Sequence, residues 1–198
     1  ASIHLCPTEL NAQNLRNEQV QGDVLVVGNT VLDHLTGIAP KDGNTVLITM
    51  HRRENHSQMA EWFTTINSIA NAHPTLLFEF PIHPNPNVSK HRDRLTHVNV
   101  INPVDYDTMI HKIANCKLII SDSGGIQEEA SFLNKKVIVC RQKTERIESL
   151  NIHSFLCPTP GELPQLFASV LNAPTVNAPC PYGDGHAAQT ITAYFNAH

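Results

Sequence analysis

The chain is predicted to be α/β, with a doubly wound, parallel, Rossmann-like sheet. Three observations predict it. Short apolar runs alternate with helical segments along most of the 198 residues, the pattern of a parallel sheet wrapped by helices. Unusual polar clusters follow four of those runs, at His51–Asn55, His83–Pro86, Ser121–Gly125 and Arg141–Arg146. In open parallel sheets ligands collect at the carboxyl ends of the strands, where these clusters would lie. Finally, Leu118–Ile120 stops at a hydroxyl-rich turn with two glycines, and a helical pattern starts at once.

Taken in order, a polar helical stretch from Glu9 to Glu18 precedes a short strand, Val24–Val27, which reads as buried. Leu35 to Gly43 carries Gly, Pro, Lys and Asp, a linker composition. Val46–Thr49 reads as the next strand. Ser57 to Asn71 reads as an amphipathic helix, because Met59, Trp62, Phe63, Ile66 and Ile69 recur at three- and four-residue steps. Leu76–Phe80 is a strand stopped by a proline-rich segment, and Val98–Ile101 is another. Met109, Ile110, Ile113 and Ala114 mark a helix, and Lys117–Ile120 the strand before the Gly-Gly turn. Asn134 suits the left-handed exit of the following helix. Lys136–Cys140 is a further strand, and helices are expected at Gly161–Leu171 and Ala187–Ala197.

Hydrophobic content of 41% and charged content of 16% describe an ordinary globular protein. A net charge of −4 with no long basic run argues against sequence-independent nucleic-acid binding. No apolar stretch approaches the roughly 20 residues that cross a bilayer, and no secretory leader is expected. Five scattered cysteines form no C-x-x-C pair, so neither a disulfide framework nor a zinc knot is expected. Cys116 and Cys140 read as small core residues. Twelve histidines show no HExxH spacing, so no metal is expected. A cytoplasmic home fits this usage. Because the chain opens at Ala1 rather than Met, an upstream portion is expected.

The Ser121–Ala130 segment carries the most chemistry. The first N–H groups of a helix lack intrahelical partners and sit at the positive end of its dipole. Two glycines let a phosphate approach them, so the turn suits a phosphate or diphosphate. At about 100° per residue, Ile126, Ala130 and Leu133 face the sheet and Glu128 faces solvent. Glu129 falls at the edge of the buried face, where an acceptor-only carboxylate suits a ribose diol. On the residues alone, a bare tight turn with a solvated Glu129 stays open. So do a loop histidine at His51 and a surface charge at Arg146.

The strings His51-Arg52-Arg53-Glu54-Asn55, His83-Pro84-Asn85-Pro86-Asn87-Val88 and Ser121-Asp122-Ser123-Gly124-Gly125-Ile126-Gln127-Glu128-Glu129-Ala130 together resemble the non-hydrolysing UDP-N-acetylglucosamine 2-epimerases. Val27–Asp33, Thr144–Arg146 and Pro181–Gly185 match too, in the family's order and over nearly the whole chain.

The resemblance implies the second domain of a glycosyltransferase B-type fold. Residues 1–35 would be a remnant of the first Rossmann-like domain plus the hinge. Residues 36–198 would form the C-terminal UDP-binding domain with its closing helix. It implies interconversion of UDP-GlcNAc and UDP-ManNAc by elimination and re-addition of UDP, without a cofactor. By resemblance Ser123, Gly124 and Gly125 bind the diphosphate, Glu129 the ribose and Arg146 a phosphate. His51 is the catalytic candidate, and Arg52 and His83 would meet a second UDP-sugar. Met109 stands where many members place a Phe against the uracil. The carboxylates that move the proton would lie on the absent first domain, and the complete protein would be a homodimer. A hydrolysing epimerase, a glycosyltransferase of the same architecture and a non-catalytic UDP-sugar-binding module remain as alternatives.

Overall fold

A computed structural model describes residues 1–197 of the chain. Two parallel sheets organise it. The smaller is a β-α-β unit: β1 (Ile3–Cys6), helix α1 (Glu9–Asn17) and β2 (Asp23–Val26). Thr8 caps α1 by accepting from the Asn11 amide, and Glu9 and Arg16 complement the dipole at its two ends. β2 was expected to be buried, and it is not. Val26 is 42% exposed and Leu5 of β1 is 41% exposed, because among the described residues no further layer covers that face of a two-stranded sheet.

A 3₁₀ turn, Thr30–Leu35, leads into the larger sheet. That sheet is built from β3 (Thr45–Thr49), β4 (Leu77–Pro81), β5 (Asn99–Ile101), β6 (Leu118–Ser121), β7 (Val137–Val139) and β8 (Ser154–Leu156). The spatial order is β5-β4-β3-β6-β7-β8, with every pair parallel. The chain therefore winds outward from β3 in one direction and from β6 in the other. The crevice at the carboxyl ends of β3 and β6 is the switch point where ligands collect in such sheets.

Alternation along the strands splits the core into two layers. Val46, Ile48, Phe78, Phe80, Leu118, Ile120 and Ile138 face α2 (Met59–Ala72) and α6 (Leu163–Asn172). Leu47, Ile119, Val137 and Val139 face α4 (Tyr106–Asn115) and α5 (Gly124–Phe132), together with Leu32, Leu35 and Tyr182. Phe63 of α2 meets Phe80 edge-on, with ring centroids 5.4 Å apart. Each such fully buried side chain contributes about 1.5–3 kcal/mol. A four-residue helix, α3 (Pro86–Ser89), sits in the loop after β4 with Asn85 as its cap.

Boundaries follow local chemistry. α2 starts at Met59 rather than Ser57, since Arg53–Asn55 forms a separate 3₁₀ turn. α6 starts at Leu163, because Pro160–Glu162 forms its own 3₁₀ turn. Asn134 has φ of 52°, the left-handed exit its sequence suggests. Cys116 and Cys140 are buried, as expected of small core residues. The last helix, α7 (Ala187–Ala197), is capped by Asp33, whose carboxylate accepts from the Ala187 and Ala188 amides at 2.9 and 2.7 Å. It runs back to the small sheet, where the Tyr194 hydroxyl donates to Asp23. Ala187 is its one buried residue among those described. No described helix is long and apolar enough to cross a membrane.

Candidate functional site

The site is assembled around Asp122, the residue after β6, which is fully buried. Its carboxylate accepts from the His51 amide at 3.1 Å, the Arg52 amide at 2.9 Å and Asn55 Nδ2 at 3.0 Å. Asn55 Nδ2 also donates to the Cys140 carbonyl at 2.9 Å, tying in the end of β7. A buried carboxylate is tolerable only with donors of this number and quality. Beside it, the Thr49 and Ser121 hydroxyls lie 2.7 Å apart, and the Ser123 amide donates to Ser121 Oγ at 3.0 Å. Asp122 and Asn55 had no role in the sequence reading, although both lie inside its motifs.

Helix α5 begins directly over this frame. Ser123 is its N-cap, and the Ser123 side chain makes no capping hydrogen bond. Gly125 is exposed, and a Cβ placed there would meet nothing within 4 Å. A Cβ on Gly124 would come within 3.3 Å of Arg146 Cζ and 3.4 Å of Arg52 Nη2. Two guanidinium groups, one from the loop after β3 and one from the loop after β7, thus converge on one helix start. Positive charge, unpaired amides and open space coincide there, the requirements of an anion site.

Glu128 corrects the helix-phase expectation. It is 7% exposed rather than solvent-facing, accepting from Arg146 Nε at 2.9 Å and from Asn29 Nδ2. The reason is tertiary. The side of α5 away from the sheet is packed by the Thr30–Leu35 turn and Tyr182, so the Glu128 face is closed to water while Gly125 at the helix start stays open. The inward placement of Ile126, Ala130 and Leu133 holds.

Glu129 is buried as well, and burial pushes its carboxyl above the usual range. The Tyr106 hydroxyl opposes that shift and the nearby Glu128 adds to it. Tyr106, at the start of α4, is pushed up to about 12 by desolvation and then by the Glu129 charge. One turn further along α4, Met109 lines a cavity of about 200 Å³ with Met50, His51, His83, Pro103, Val104 and Ile126. The His51 and His83 rings stack there, with centroids 5.5 Å apart and planes 30° apart. An apolar slot with two imidazoles suits a planar heterocycle.

All the sequence-derived site residues stand on the carboxyl rim. Ser123, Gly124, Gly125, Arg52 and Arg146 gather at the α5 start. Met109, His51 and His83 share the slot, and Ile126 of α5 joins the two.

Comparisons with known proteins agree on one family. The family model described as UDP-N-acetylglucosamine 2-epimerase matches residues 1–196. A UDP-N-acetylglucosamine 2-epimerase of Yersinia pestis is 32% identical over 100% of this chain, which covers 61% of that protein. The crystal structure of UDP-GlcNAc 2-epimerase from Neisseria meningitidis bound to UDP-GlcNAc superposes with a TM-score of 0.89 at 31% identity, covering 100% of this chain and 62% of that one. The Methanocaldococcus jannaschii enzyme in complex with UDP-GlcNAc and UDP gives a TM-score of 0.81 at 25% identity, covering 100% of this chain and 62% of that one. The chain thus spans about 60% of the length of these relatives. With the parallel α/β sheet and the ordered motifs on its rim, these matches establish that the chain belongs to the UDP-N-acetylglucosamine 2-epimerase family.

Proposed function

We propose that this chain is the nucleotide-holding part of an enzyme that interconverts UDP-GlcNAc and UDP-ManNAc. The observation that carries the reading is the convergence of Arg52 and Arg146 on Gly124, beside the His51–Met109 slot. In this reading the uracil enters the slot, Glu129 accepts from the ribose hydroxyls, and the diphosphate rests on Ser123, Gly124 and Gly125 under the two arginines. In the same reading, Arg52 and His83 would also meet a second UDP-sugar. Residues 1–35 serve as the remnant of a first domain and its hinge, and residues 36–198 as the UDP-binding domain.

The chemistry needs no redox cofactor. A base removes the proton at carbon 2, and that electron pair becomes the C1–C2 double bond. The C1–O pair leaves with UDP, and re-addition after protonation on the other face gives the epimer. Negative charge grows on the departing diphosphate, where preorganised cations and helix amides stabilise it most. In this reading His51, which lines the slot, protonates or neutralises the leaving group. The base comes from a first domain that this chain does not carry, so the chain alone is inactive. The complete protein acts as a homodimer by family resemblance. The five cysteines of this chain, all free thiols, support a reducing, cytoplasmic setting.

A second reading, a UDP-sugar-binding module without catalysis, is favoured by the engagement of the carboxylates at the α5 start, Asp122 by three donors and Glu128 by Arg146 and Asn29. Calorimetric titration of the 198-residue chain with UDP tests what both share. Measurable binding is expected, and a folded chain that binds no UDP at millimolar ligand overturns both.

A further inference from the structure

Glu128 has no place among the expected ligand-binding groups, yet both of its carboxylate oxygens are engaged. Its buried carboxylate accepts from Arg146 Nε at 2.9 Å on one oxygen and from Asn29 Nδ2 on the other. Both partners are fixed in turn. The Arg146 amide donates to Thr144 Oγ1 at 3.1 Å, and its Nη1 donates to Glu145 at 2.7 Å. The Asn29 amide donates to the Tyr182 carbonyl at 2.8 Å, and Asn29 Oδ1 accepts from Val31 N at 3.1 Å. Tyr182 closes the circuit, its hydroxyl donating to the Arg146 carbonyl at 3.2 Å.

Asn29 belongs to the turn that joins the two sheets, and Arg146 is one of the two cations over the α5 start. An unrestrained arginine samples many rotamers, and ordering it on ligand arrival would weaken binding. Here the carboxylates of Glu128 and Glu145 hold the guanidinium by Nε and Nη1. Nη2 has no internal partner among the described residues, which suits an incoming phosphate oxygen.

We propose that Glu128 is a positioning residue for the nucleotide diphosphate. It holds the Arg146 guanidinium over the start of α5, and through Asn29 it ties that cation to the turn between the two sheets. Glu128 does not touch the diphosphate itself, since two anions at contact repel. The inference rests on the UDP-binding reading above.

The test compares UDP with uridine, which has the base and ribose but no phosphate, on the 198-residue chain and its E128Q variant. E128Q is expected to weaken UDP by roughly tenfold, the scale of one charge-assisted hydrogen bond, and to leave uridine within about twofold. In an R146A background the same substitution is expected to change UDP affinity by less than about twofold. Unchanged or tighter UDP binding in E128Q overturns the proposal. So does an equal loss for uridine, or the same further loss without Arg146. If E128Q does not fold, Glu128→Asp, which withdraws the charge by one methylene, carries the same comparison. A native chain that binds neither ligand refutes the UDP reading itself, a result separate from these.

Discussion

Asn55 Nδ2 donates to Asp122 Oδ2 at 3.0 Å, joining the loop after β3 to the turn after β6 across the switch point. The His51 and Arg52 amides reach the same carboxylate. Removing that carboxylate would take the acceptor from the His51 and Arg52 amides and one of the two acceptors from the buried Asn55 amide. Asp122→Ala is therefore expected to lower stability by roughly 2–4 kcal/mol, the scale for unpaired buried groups. It should also displace His51 and Arg52 and weaken UDP. Urea unfolding and a UDP titration check both. A variant as stable as the parent would show that the loop holds its shape without Asp122.

In the proposed UDP site, Glu129 is expected to make affinity depend on pH. Its carboxyl lies above the ordinary value of 4.5, chiefly through burial. As pH falls from neutrality through that raised value, Glu129 takes up a proton and would stop accepting from the ribose hydroxyls that the proposed function assigns to it. UDP affinity is expected to fall over that window, and Glu129→Gln should flatten the profile. For stability the sign is opposite. A carboxyl raised in the folded state disfavours folding when ionised, and that penalty is relieved as pH drops through the folded value. Glu129→Gln is thus expected to be neutral or mildly stabilising at pH 7, while weakening UDP by roughly 1.5–3 kcal/mol. With 2′,3′-dideoxy-UDP the two proteins should bind alike, and a persistent difference would detach Glu129 from the ribose.

Gly183 and Gly28 face each other where the chain returns to the turn between the sheets. Gly183 has φ of 125° and Gly28 φ of 84°, and a Cβ on Gly183 would come within 3.0 Å of Gly28 Cα. The neighbour is backbone and cannot swing away. Gly183→Ala is expected to cost about 1–3 kcal/mol, from a strained backbone and a forced contact. Thermal unfolding reads it directly. A variant that melts with the parent would mean that this turn opens at little cost.

Much of this was legible because it depends on local pattern. The three- and four-residue steps of Met59, Trp62, Phe63, Ile66 and Ile69 mark α2, and all five are buried. The polar clusters at Ser121–Gly125 and His51–Asn55 could be placed on one rim because parallel strands share a carboxyl end. Glu128 could not be read, because helix phase assumes one wet face and the Thr30–Leu35 turn covers it. Asp122 and Asn55 were hidden for another reason. Their partners are mostly backbone groups, and those leave no trace in residue identity. β1 and β8 were missed because Ile-His-Leu-Cys and Ser-Phe-Leu lack the unbroken β-branched runs that mark strands as short as Val137–Val139.

The remaining prediction concerns catalysis. A carbon-2 proton needs a base with an unengaged lone pair close to the sugar. The carboxylates around the α5 start are all committed. Asp122 is held by the His51 and Arg52 amides and Asn55. Glu54 pairs with Arg141 at 2.7 Å, Glu145 with Arg141 and Arg146, and Glu128 with Arg146 and Asn29. Glu129 is buried against Tyr106. General base assistance, worth about 10²–10⁴-fold, is therefore not expected from these carboxylates. The 198-residue chain is expected to show no exchange of the carbon-2 proton of UDP-GlcNAc in heavy water, followed by NMR, at concentrations where UDP binds. Adding a separately produced first domain should restore exchange to the extent that the halves dock. Deuterium incorporation by the chain alone would make His51 the base: of the two imidazoles that line the slot, His83 has its Nδ1 lone pair taken by the Asn85 amide at 3.1 Å. His51→Gln would then abolish the exchange while leaving UDP bound.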